Sequence, residues 1–145
     1  MAPSRERMIE IVHHIHDRLG SGDVSVFREH LTADYARHCQ SMPPGFEEIR
    51  GHEQLADFLV EHFEAIPDWN DTIDFALVDG DRIGYQVTSR GTQTGALGPF
   101  PASNRSFELV NMVFHRFEGE KIAETWVLWD NLSMFTQLGH MPAPG

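Results

Sequence analysis

The chemically suggestive residues lie near the end of the chain, where a carboxylate follows two tryptophans. From about Lys121 to about Leu132 the residues alternate as in a strand, and one face of it carries Glu124, Trp126, Leu128 and Asp130. An aspartate beside tryptophans is partly desolvated, and desolvation raises the pKa of a carboxyl group toward values useful in acid–base catalysis. Asp130 is therefore the first candidate catalyst. A turn or cap role is the alternative.

The preceding strand, predicted over 105–117, supplies partners for this carboxylate. Glu118-Gly119 is the expected turn, because glycine enters positive φ without steric cost. If Phe117 pairs with Ile122, the strands share a face that carries Leu109, Asn111, Val113 and His115 opposite Asp130, Leu128, Trp126 and Glu124. We expect His115 to take part in catalysis, and Asn111 and Trp126 to bind substrate. An exposed pair of His115 with Glu124 is the alternative.

Other candidates for substrate binding are spread over the chain. Tyr35 and His38 fall in residues 32–38, where we expect a further helical turn, and both are predicted to point into a pocket, although His38 would equally suit a loop. Phe63 lies on an apolar helix stripe, and Arg90 lies on a polar strand row that fits either water or a cavity wall.

Three histidines near the start of the chain invite a metal interpretation. Only His13 and His16 have the spacing that puts two ligands on one helix face, and they lie off the apolar stripe. We expect His13, His14 and His16 to be solvated surface residues, and we predict no metal site.

The apolar periodicity predicts three helices before any strand. They cover 4–19, 24–30 and 52–65, and a proline-containing loop, Ser41 to Gly51, precedes the third. Strands follow, with Ile73, Phe75 and Leu77 expected on one face. The next strand presents Ile83, Tyr85 and Val87 after the Asp79-Gly80 turn. Residues 91–104 read as a mobile connection or pocket rim.

Segregated helices and strands indicate an α+β fold: three N-terminal helices packed on a curved antiparallel sheet that forms a cone with an internal pocket. The 145 residues suit one domain, 1–145. The outer sheet face, expected to carry Met112, Phe114, Val127 and Trp129, is too apolar for water. We therefore predict a homodimer through that face.

Composition narrows the classes of partner. With 41% hydrophobic and 23% charged residues, the chain resembles ordinary globular proteins. A net charge of -11 without a basic patch argues against nucleic acid and anionic membrane surfaces. The single cysteine, Cys39, fits a reducing compartment, and no apolar run reaches the length of a membrane span. A cytoplasmic location is expected.

Several of these stretches together resemble the SnoaL-like polyketide cyclases, in the cone-shaped α+β class shared with ketosteroid isomerase and nuclear transport factor 2. The resemblance covers nearly the whole chain. It is carried by Gly51 with the helix after it, Ile66-Pro67-Asp68, residues 91–95, Phe117 to Ile122, Glu124 to Asp130 and Gln137-Leu138-Gly139.

The resemblance implies an intramolecular aldol ring closure without metal or cofactor, with Asp130 as acid–base catalyst. The substrate would be a small hydrophobic, aromatic or polycarbonyl molecule. Two departures stand out. Gln93 replaces the histidine of the family's Gly-Thr-His-Thr-Gly stretch, and Gly119 comes one position earlier than in the common Phe-x-Asp-Gly-Lys turn.

Two other functions remain open on the sequence alone. A non-catalytic binding module would need only the apolar walls and should tolerate asparagine at position 130. A hydrolase, or a related hydroxylase, is the other alternative; a hydrolase would need several carboxylates and a cation around one water, for which Asp130, Glu108, Glu124 and Arg90 are the candidates.

Overall fold

A curved six-stranded sheet with helices over its inner face carries the fold. The computed structural model describes residues 1–42 and 47–142. In order along the chain, the elements are α1 (Arg5–Gly20), α2 (Val26–His30), β1 (Leu31–Cys39), β2 (Glu48–Arg50), α3 (Gly51–Ala65), β3 (Asn70–Asp79), β4 (Arg82–Thr92), β5 (Ser106–Glu118), β6 (Lys121–Leu128) and α4 (Asn131–Gln137). The strand order in the sheet is β2-β1-β6-β5-β4-β3.

The α+β class is confirmed, but the arrangement differs from the predicted one in two ways. First, α3 follows β1 and β2, so three helices do not precede the strands. Second, the sheet is mixed, because β1 runs parallel to β6 while the other neighbouring strands are antiparallel. The parallel pair arises because β1, which pairs with β2 on one side, lies beside the last strand, β6, on the other side and runs in the same direction.

Residues 32–38 form a strand and not the predicted helical turn. Their backbone pairs with β6 on one side and with β2 on the other, and this long-range pairing overrides local propensity. Tyr35, Arg37 and Cys39 consequently alternate with outward residues and face the interior. Strand β2 lies within the predicted loop, of which Pro43, Pro44 and Gly45 fall outside the described residues.

Helices α1 and α3 form where the periodicity predicted them. Ser4 caps α1 by accepting a hydrogen bond from the Arg7 backbone N–H, and the stripe from Met8 to Leu19 is buried. Helix α3 ends at Ala65, two residues before Pro67. Both helices pack toward the inner face of the sheet, which leaves a cavity between helices and sheet.

An irregularity at Asp74 turns the second half of β3 over. Ile73 pairs with Val87, but Phe75 pairs with Gln86, so β3 contains one extra residue at this point. The predicted common face of Ile73, Phe75 and Leu77 is therefore wrong. Phe75 and Leu77 are 52% and 71% exposed on the outer face.

A second irregularity, at Ala123, changes the register between β5 and β6. Phe117 pairs with Ile122 as predicted, but Arg116 then pairs with Glu124 and His115 with Thr125. The extra residue moves Glu124, Trp126 and Leu128 to the outer face, whereas His115 stays inside. The face predicted to unite Asp130 with His115 does not form, because a shift of one residue exchanges the faces of a strand.

The outer face of the sheet is apolar, although some of its residues differ from those expected. Met112 and Phe114 lie on it, while Val127 and Trp129 line the interior. Its large exposed apolar residues are Phe75, Leu77, Val110, Phe114 and Leu128. Among the described residues, no helix has the length and hydropathy needed to cross a membrane.

Candidate functional site

A mainly apolar cavity of about 180 Å³ lies between α1, α3 and the inner sheet face. Its walls come chiefly from aromatic and aliphatic side chains, including Leu19, Phe27, Leu55, Phe58, Phe63 and Trp129. Trp129 stacks on Trp69, with ring centroids 5.6 Å apart. The polar side chains that line the cavity include His16, Tyr35, Arg37, Asp71, Tyr85, Ser89, Asn111, His115 and Thr125. Apolar walls with a few converging polar groups are the usual form of a small-molecule site.

The most strongly polar part of this cavity is a pair formed by Asp71 and His16. His16 of α1 places Nδ1 2.8 Å from Oδ2 of Asp71 at the start of β3, and their side chains are only 13% and 12% exposed. Oδ1 of Asp71 accepts hydrogen bonds from Ser89, its cross-strand neighbour, at 2.6 Å and from the Trp69 indole at 2.9 Å. Asp71 is thus held by three donors.

These donors keep Asp71 ionised. Burial by itself would raise the pKa of this carboxyl group, but the hydrogen bond and charge of His16, together with the Ser89 and Trp69 bonds, bring it below its ordinary value. Because the carboxylate carries no proton, the hydrogen between Asp71 and His16 belongs to Nδ1 of the imidazole. Asp71 therefore fixes both the orientation and the tautomer of His16.

A chain of buried hydrogen bonds continues from His16 across three strands. The Tyr85 hydroxyl lies 2.8 Å from Nε2 of His16 and 2.8 Å from Nε2 of His115. Nδ1 of His115 lies 2.7 Å from Oγ1 of Thr125, which is its partner in the β5–β6 register. Five side chains on one helix and four strands are thereby linked.

The protonation of the chain follows from burial. Burial, with smaller contributions from the charges of His16 and Arg37, lowers the pKa of His115 to about 3, so its imidazole is neutral. Burial also raises the pKa of Tyr85 well above its ordinary value, so the phenol keeps its proton. With neutral His16, one pattern satisfies every member: Thr125 donates to His115, His115 to Tyr85, Tyr85 to His16, and His16 to Asp71.

The predicted binding residues divide between the two faces of the sheet. Tyr35, Phe63 and Asn111 line the cavity, and so does His115, which was predicted to be catalytic. Burial raises the pKa of Tyr35 to about 12, so this phenol is also neutral. Asn111 donates through Nδ2 to Oγ of Ser89 at 3.0 Å and so extends the polar network around Asp71.

The remaining three predicted binding residues lie outside the cavity. His38 bonds Glu124 at 2.6 Å and lies against Trp126 on the outer face, with ring centroids 5.7 Å apart. Arg90 pairs with Glu108 at 3.0 Å on the surface. The alternation of β1 and β4 and the register shift in β6 account for these positions. Of the carboxylates considered for a hydrolase, Glu108 pairs with Arg90 on the surface and Glu124 bonds His38 on the outer face.

Asp130 is exposed at the start of α4, next to the cavity residues Trp129 and Asn131. Its carboxylate caps the helix by accepting hydrogen bonds from Ser133 N at 3.0 Å and Ser133 Oγ at 2.7 Å. The hydrogen bonds from Ser133 lower the pKa of Asp130 and outweigh desolvation, so the predicted rise in its pKa is wrong. The strand ends at Leu128, before the aspartate, and the alternative role of helix cap is confirmed.

Gln93 connects the segment after β4 to the C-terminal segment. Its side chain is fully buried, donates to the carbonyls of Phe100 and Pro101, and places Oε1 2.6 Å from Nε2 of His140. Gln93 is not among the residues that line the cavity. At the position where the family stretch has histidine, this chain has an amide that ties its loop in place.

His14, Glu29 and His30 form a separate cluster outside this cavity. Each offers one ligand atom, and these atoms lie within 4.8 Å of one another. Arg18, however, places NH1 3.3 Å from Nε2 of His14 and pairs with Glu29. A donor at Nε2 requires the proton of His14 on Nδ1, which lies 2.8 Å from Nε2 of His30, so the side chains form a hydrogen-bonded group.

The sequence interpretation missed the central pair. His16 was expected on the surface, yet it lies on the buried flank of α1, four residues after Val12 and three before Leu19. That spacing was a usable signal, because such residues share a helix face. Nothing in the local sequence indicates the role of Asp71, because two of its three partners, His16 and Ser89, come from α1 and β4.

Comparisons with known proteins agree with this architecture. A candidate SnoaL-like polyketide cyclase from Jannaschia sp. CCS1 is 22% identical, with a TM-score of 0.83 over 98% of this chain and 99% of that one. TsrD from Streptomyces laurentii is 24% identical, with a TM-score of 0.83 and coverage of 96% and 99%. IdmH, a candidate polyketide cyclase from Streptomyces antibioticus, is 25% identical, with a TM-score of 0.76 and coverage of 90% and 96%.

A comparison with curated protein sequences finds no significant match. The sequence model described as SnoaL-like polyketide cyclase matches residues 9–138, which is most of the chain. The chain therefore belongs to the SnoaL-like polyketide cyclase family.

Proposed function

We propose that the protein is a cofactor-independent cyclase or isomerase that acts on a polyketide-like polycarbonyl molecule by acid–base catalysis. The observation that carries this proposal is the Asp71–His16 pair, joined to Tyr85, in a cavity with otherwise mostly apolar walls. A carbon flanked by carbonyls is acidic enough for a positioned side chain to deprotonate when water is excluded. The family name supports the substrate class.

His16 is the proposed base. Asp71 holds its Nδ1–H, so the lone pair on Nε2 is directed toward Tyr85 and the cavity. The Tyr85 hydroxyl donates its hydrogen bond to that lone pair. A substrate carbonyl that accepts the Tyr85 hydrogen would release Nε2 to take the α-proton. The Asp71 carboxylate then stabilises the resulting imidazolium.

Tyr85 is the proposed acid and oxyanion donor. Its O–H stabilises the enolate oxygen while the enolate carbon attacks a second carbonyl of the same molecule and forms the new carbon–carbon bond. The imidazolium of His16 returns its proton to the product alkoxide, directly or through Tyr85. His115 donates to the Tyr85 oxygen and keeps the phenol oriented.

Asp130 remains the rival base. Its exposed carboxylate has a lowered pKa and already accepts two hydrogen bonds, which makes it a weaker base than the imidazole. Its position beside Trp129 leaves a role at the cavity rim open to experiment.

The test measures the turnover of a panel of aromatic polycarbonyl compounds, with mass spectrometry as the detection method. We expect Asp71→Asn and His16→Gln to lower kcat by about 100-fold or more, in the range typical of acid–base groups. Asp74→Asn is the matched control, because Asp74 lies on the same strand with its exposed carboxylate bonded to Gln86 and Thr88. It should keep wild-type turnover within about 2-fold.

Three outcomes would oppose this assignment. Full activity in Asp71→Asn together with a large loss in Asp130→Asn would transfer the base to Asp130. Equal loss in Asp74→Asn would indicate a general fault of folding. Tight binding of panel members without conversion by the wild type would favour the alternative of a non-catalytic binding module.

We also propose that the outer sheet face pairs with a second copy of the chain. Its five exposed apolar side chains come from β3, β5 and β6. The absence of a side chain at Gly84 leaves room on this face for the ring of Phe114, which would lie 2.6 Å from a Cβ atom at position 84. Contiguous exposed apolar residues of this kind are typical of protein interfaces.

A further inference from the structure

Arg37 is the cationic side chain that lines the cavity. The alternation of β1 puts it on the inner face, between Tyr35 and Cys39. Its guanidinium carbon lies 5.6 Å from the centroid of the Phe58 ring, and NH1 lies 3.8 Å from the sulfur of Met42. A thioether is a weak acceptor. Arg37 is therefore held by weakly interacting neighbours, with its guanidinium over an aromatic ring.

The part of the chain that the structure describes offers no carboxylate partner to this guanidinium. Among residues 1–42 and 47–142, ion pairs join Arg7, Arg18, Arg90 and Arg116 to acidic side chains, but none involves Arg37. Asp71 is the acidic residue among those lining the cavity, and His16, Ser89 and Trp69 already occupy it. Among the described residues, the cavity thus holds a guanidinium that is paired with no carboxylate, while the carboxylate of Asp71 is already bonded to other side chains.

An unpaired cation in a mainly apolar cavity is costly unless a ligand completes it. The guanidinium carbon lies over the Phe58 ring, and an aromatic ring accepts no conventional hydrogen bond, so the N–H groups directed away from the ring can bind a planar acceptor. A carboxylate fits such an edge through two parallel hydrogen bonds. Phosphate, with a higher charge, usually binds through more than one cationic side chain, and Arg37 is the one Arg or Lys among the described residues that line the cavity.

We propose that Arg37 binds a carboxylate group of the substrate, so that the substrate is an apolar polycarbonyl acid rather than a neutral molecule. The inference rests on the proposed function for the use of the cavity, and it adds the chemical class of the substrate. Binding the carboxylate at Arg37 fixes one end of the molecule while its carbonyls reach Tyr85 and His16.

The test compares two probes of nearly equal shape, 2-naphthoate and its uncharged analogue 2-naphthamide, by isothermal titration calorimetry at neutral pH. We expect the wild type to bind the naphthoate at least about 10-fold more tightly, as for a hydrogen bond to a charged group. Arg37→Met should abolish this preference and leave naphthamide binding within about 2-fold. Arg37→Lys should restore part of it, since it keeps the charge but loses the planar fork.

Arg82→Met is the matched control. Arg82 also lies over an aromatic ring, 5.2 Å from the centroid of Trp126, but on the outer face of the sheet. It should keep the full preference for naphthoate. Thermal unfolding of each variant shows whether the fold is retained.

Several results would overturn the proposal: equal affinity of the wild type for both probes, failure of the wild type to bind naphthoate, or retention of the preference by Arg37→Met. The experiment measures equilibrium binding. If the wild type shows no preference for naphthoate over naphthamide, the proposed acid–base catalysis is not affected. If no compound of the substrate panel is converted, the binding preference for naphthoate is not affected.

Discussion

The buried histidine His115 should make the protein unstable in mild acid. Its imidazole is hydrogen-bonded on both sides, to Tyr85 and Thr125, and is 8% exposed. Burial, with smaller effects of the charges on His16 and Arg37, lowers its pKa from 6.5 to about 3. In the unfolded chain the same histidine titrates at its ordinary pKa. Between these two values the unfolded state therefore binds one more proton than the folded state.

Because of this difference in bound protons, the free energy of unfolding falls as the pH is lowered. A group whose pKa is depressed by folding contributes full stability above the unfolded pKa and loses it as the pH falls toward the folded pKa. Each pH unit within that window costs about 1.4 kcal/mol. Between neutral pH and about pH 4.5, His115 alone should remove roughly 2 to 3 kcal/mol from the free energy of unfolding. That is a large share of the stability of a typical domain.

The assay is urea unfolding followed by tryptophan fluorescence, for the wild type and for His115→Gln, at several pH values. Glutamine cannot titrate but retains a donor and an acceptor. Other acid-sensitive groups, such as Asp71 and His62, titrate in both proteins and largely cancel in the difference. We expect the wild-type advantage to shrink by about 2 to 3 kcal/mol between neutral pH and about pH 4.5. A difference that stays constant with pH would refute a buried neutral His115.

Two further predictions concern other parts of the molecule. Leu128→Lys should disrupt the proposed dimer, so that light scattering gives the 16.5 kDa monomer while the wild type gives twice that mass; a monomeric wild type would contradict the pairing of the outer faces. Asp130→Ala should lower the free energy of unfolding by about 1 kcal/mol through loss of the α4 cap, whereas Asp130→Asn, which keeps an acceptor, should change it by less than about 0.5 kcal/mol. Equal unfolding midpoints for Asp130→Ala and the wild type would refute the cap.

The sequence predicted a helix or strand correctly wherever its apolar residues recur at one regular spacing from end to end. The stripe of α1, the ends of α3 and the inward row of Ile83, Tyr85 and Val87 in β4 follow from such periods, and the structure confirms them. These elements build the walls of the cavity. The presence of an internal pocket could therefore be predicted before its polar contents were known.

Which polar side chains reach the cavity depends on irregularities in strand pairing, and the spacing of apolar residues does not reveal these. The extra residues at Asp74 in β3 and Ala123 in β6 each turn the remainder of their own strand over, so that its inward and outward side chains are exchanged. The second of them moves Trp126 to the face opposite His115. Such irregularities are set by pairing with neighbouring strands, so local sequence does not mark them. His115 and Asn111 were nevertheless placed correctly in the cavity, because β5 itself is regular.

The arrangement of hydrogen bonds explains why the cavity should select among ligands. Along the chain from Thr125 to Asp71, each donor has an acceptor, so a neutral ligand must break an existing bond of Tyr85 to gain one. Arg37 differs, because its guanidinium has no ion pair among the described residues. A ligand that brings a carboxylate gains that interaction without loss elsewhere and can offset the cost of displacing the Tyr85 hydrogen from His16. Binding at Arg37 and release of the base at His16 would then be coupled, and substrates without the carboxylate should lose kcat as well as affinity.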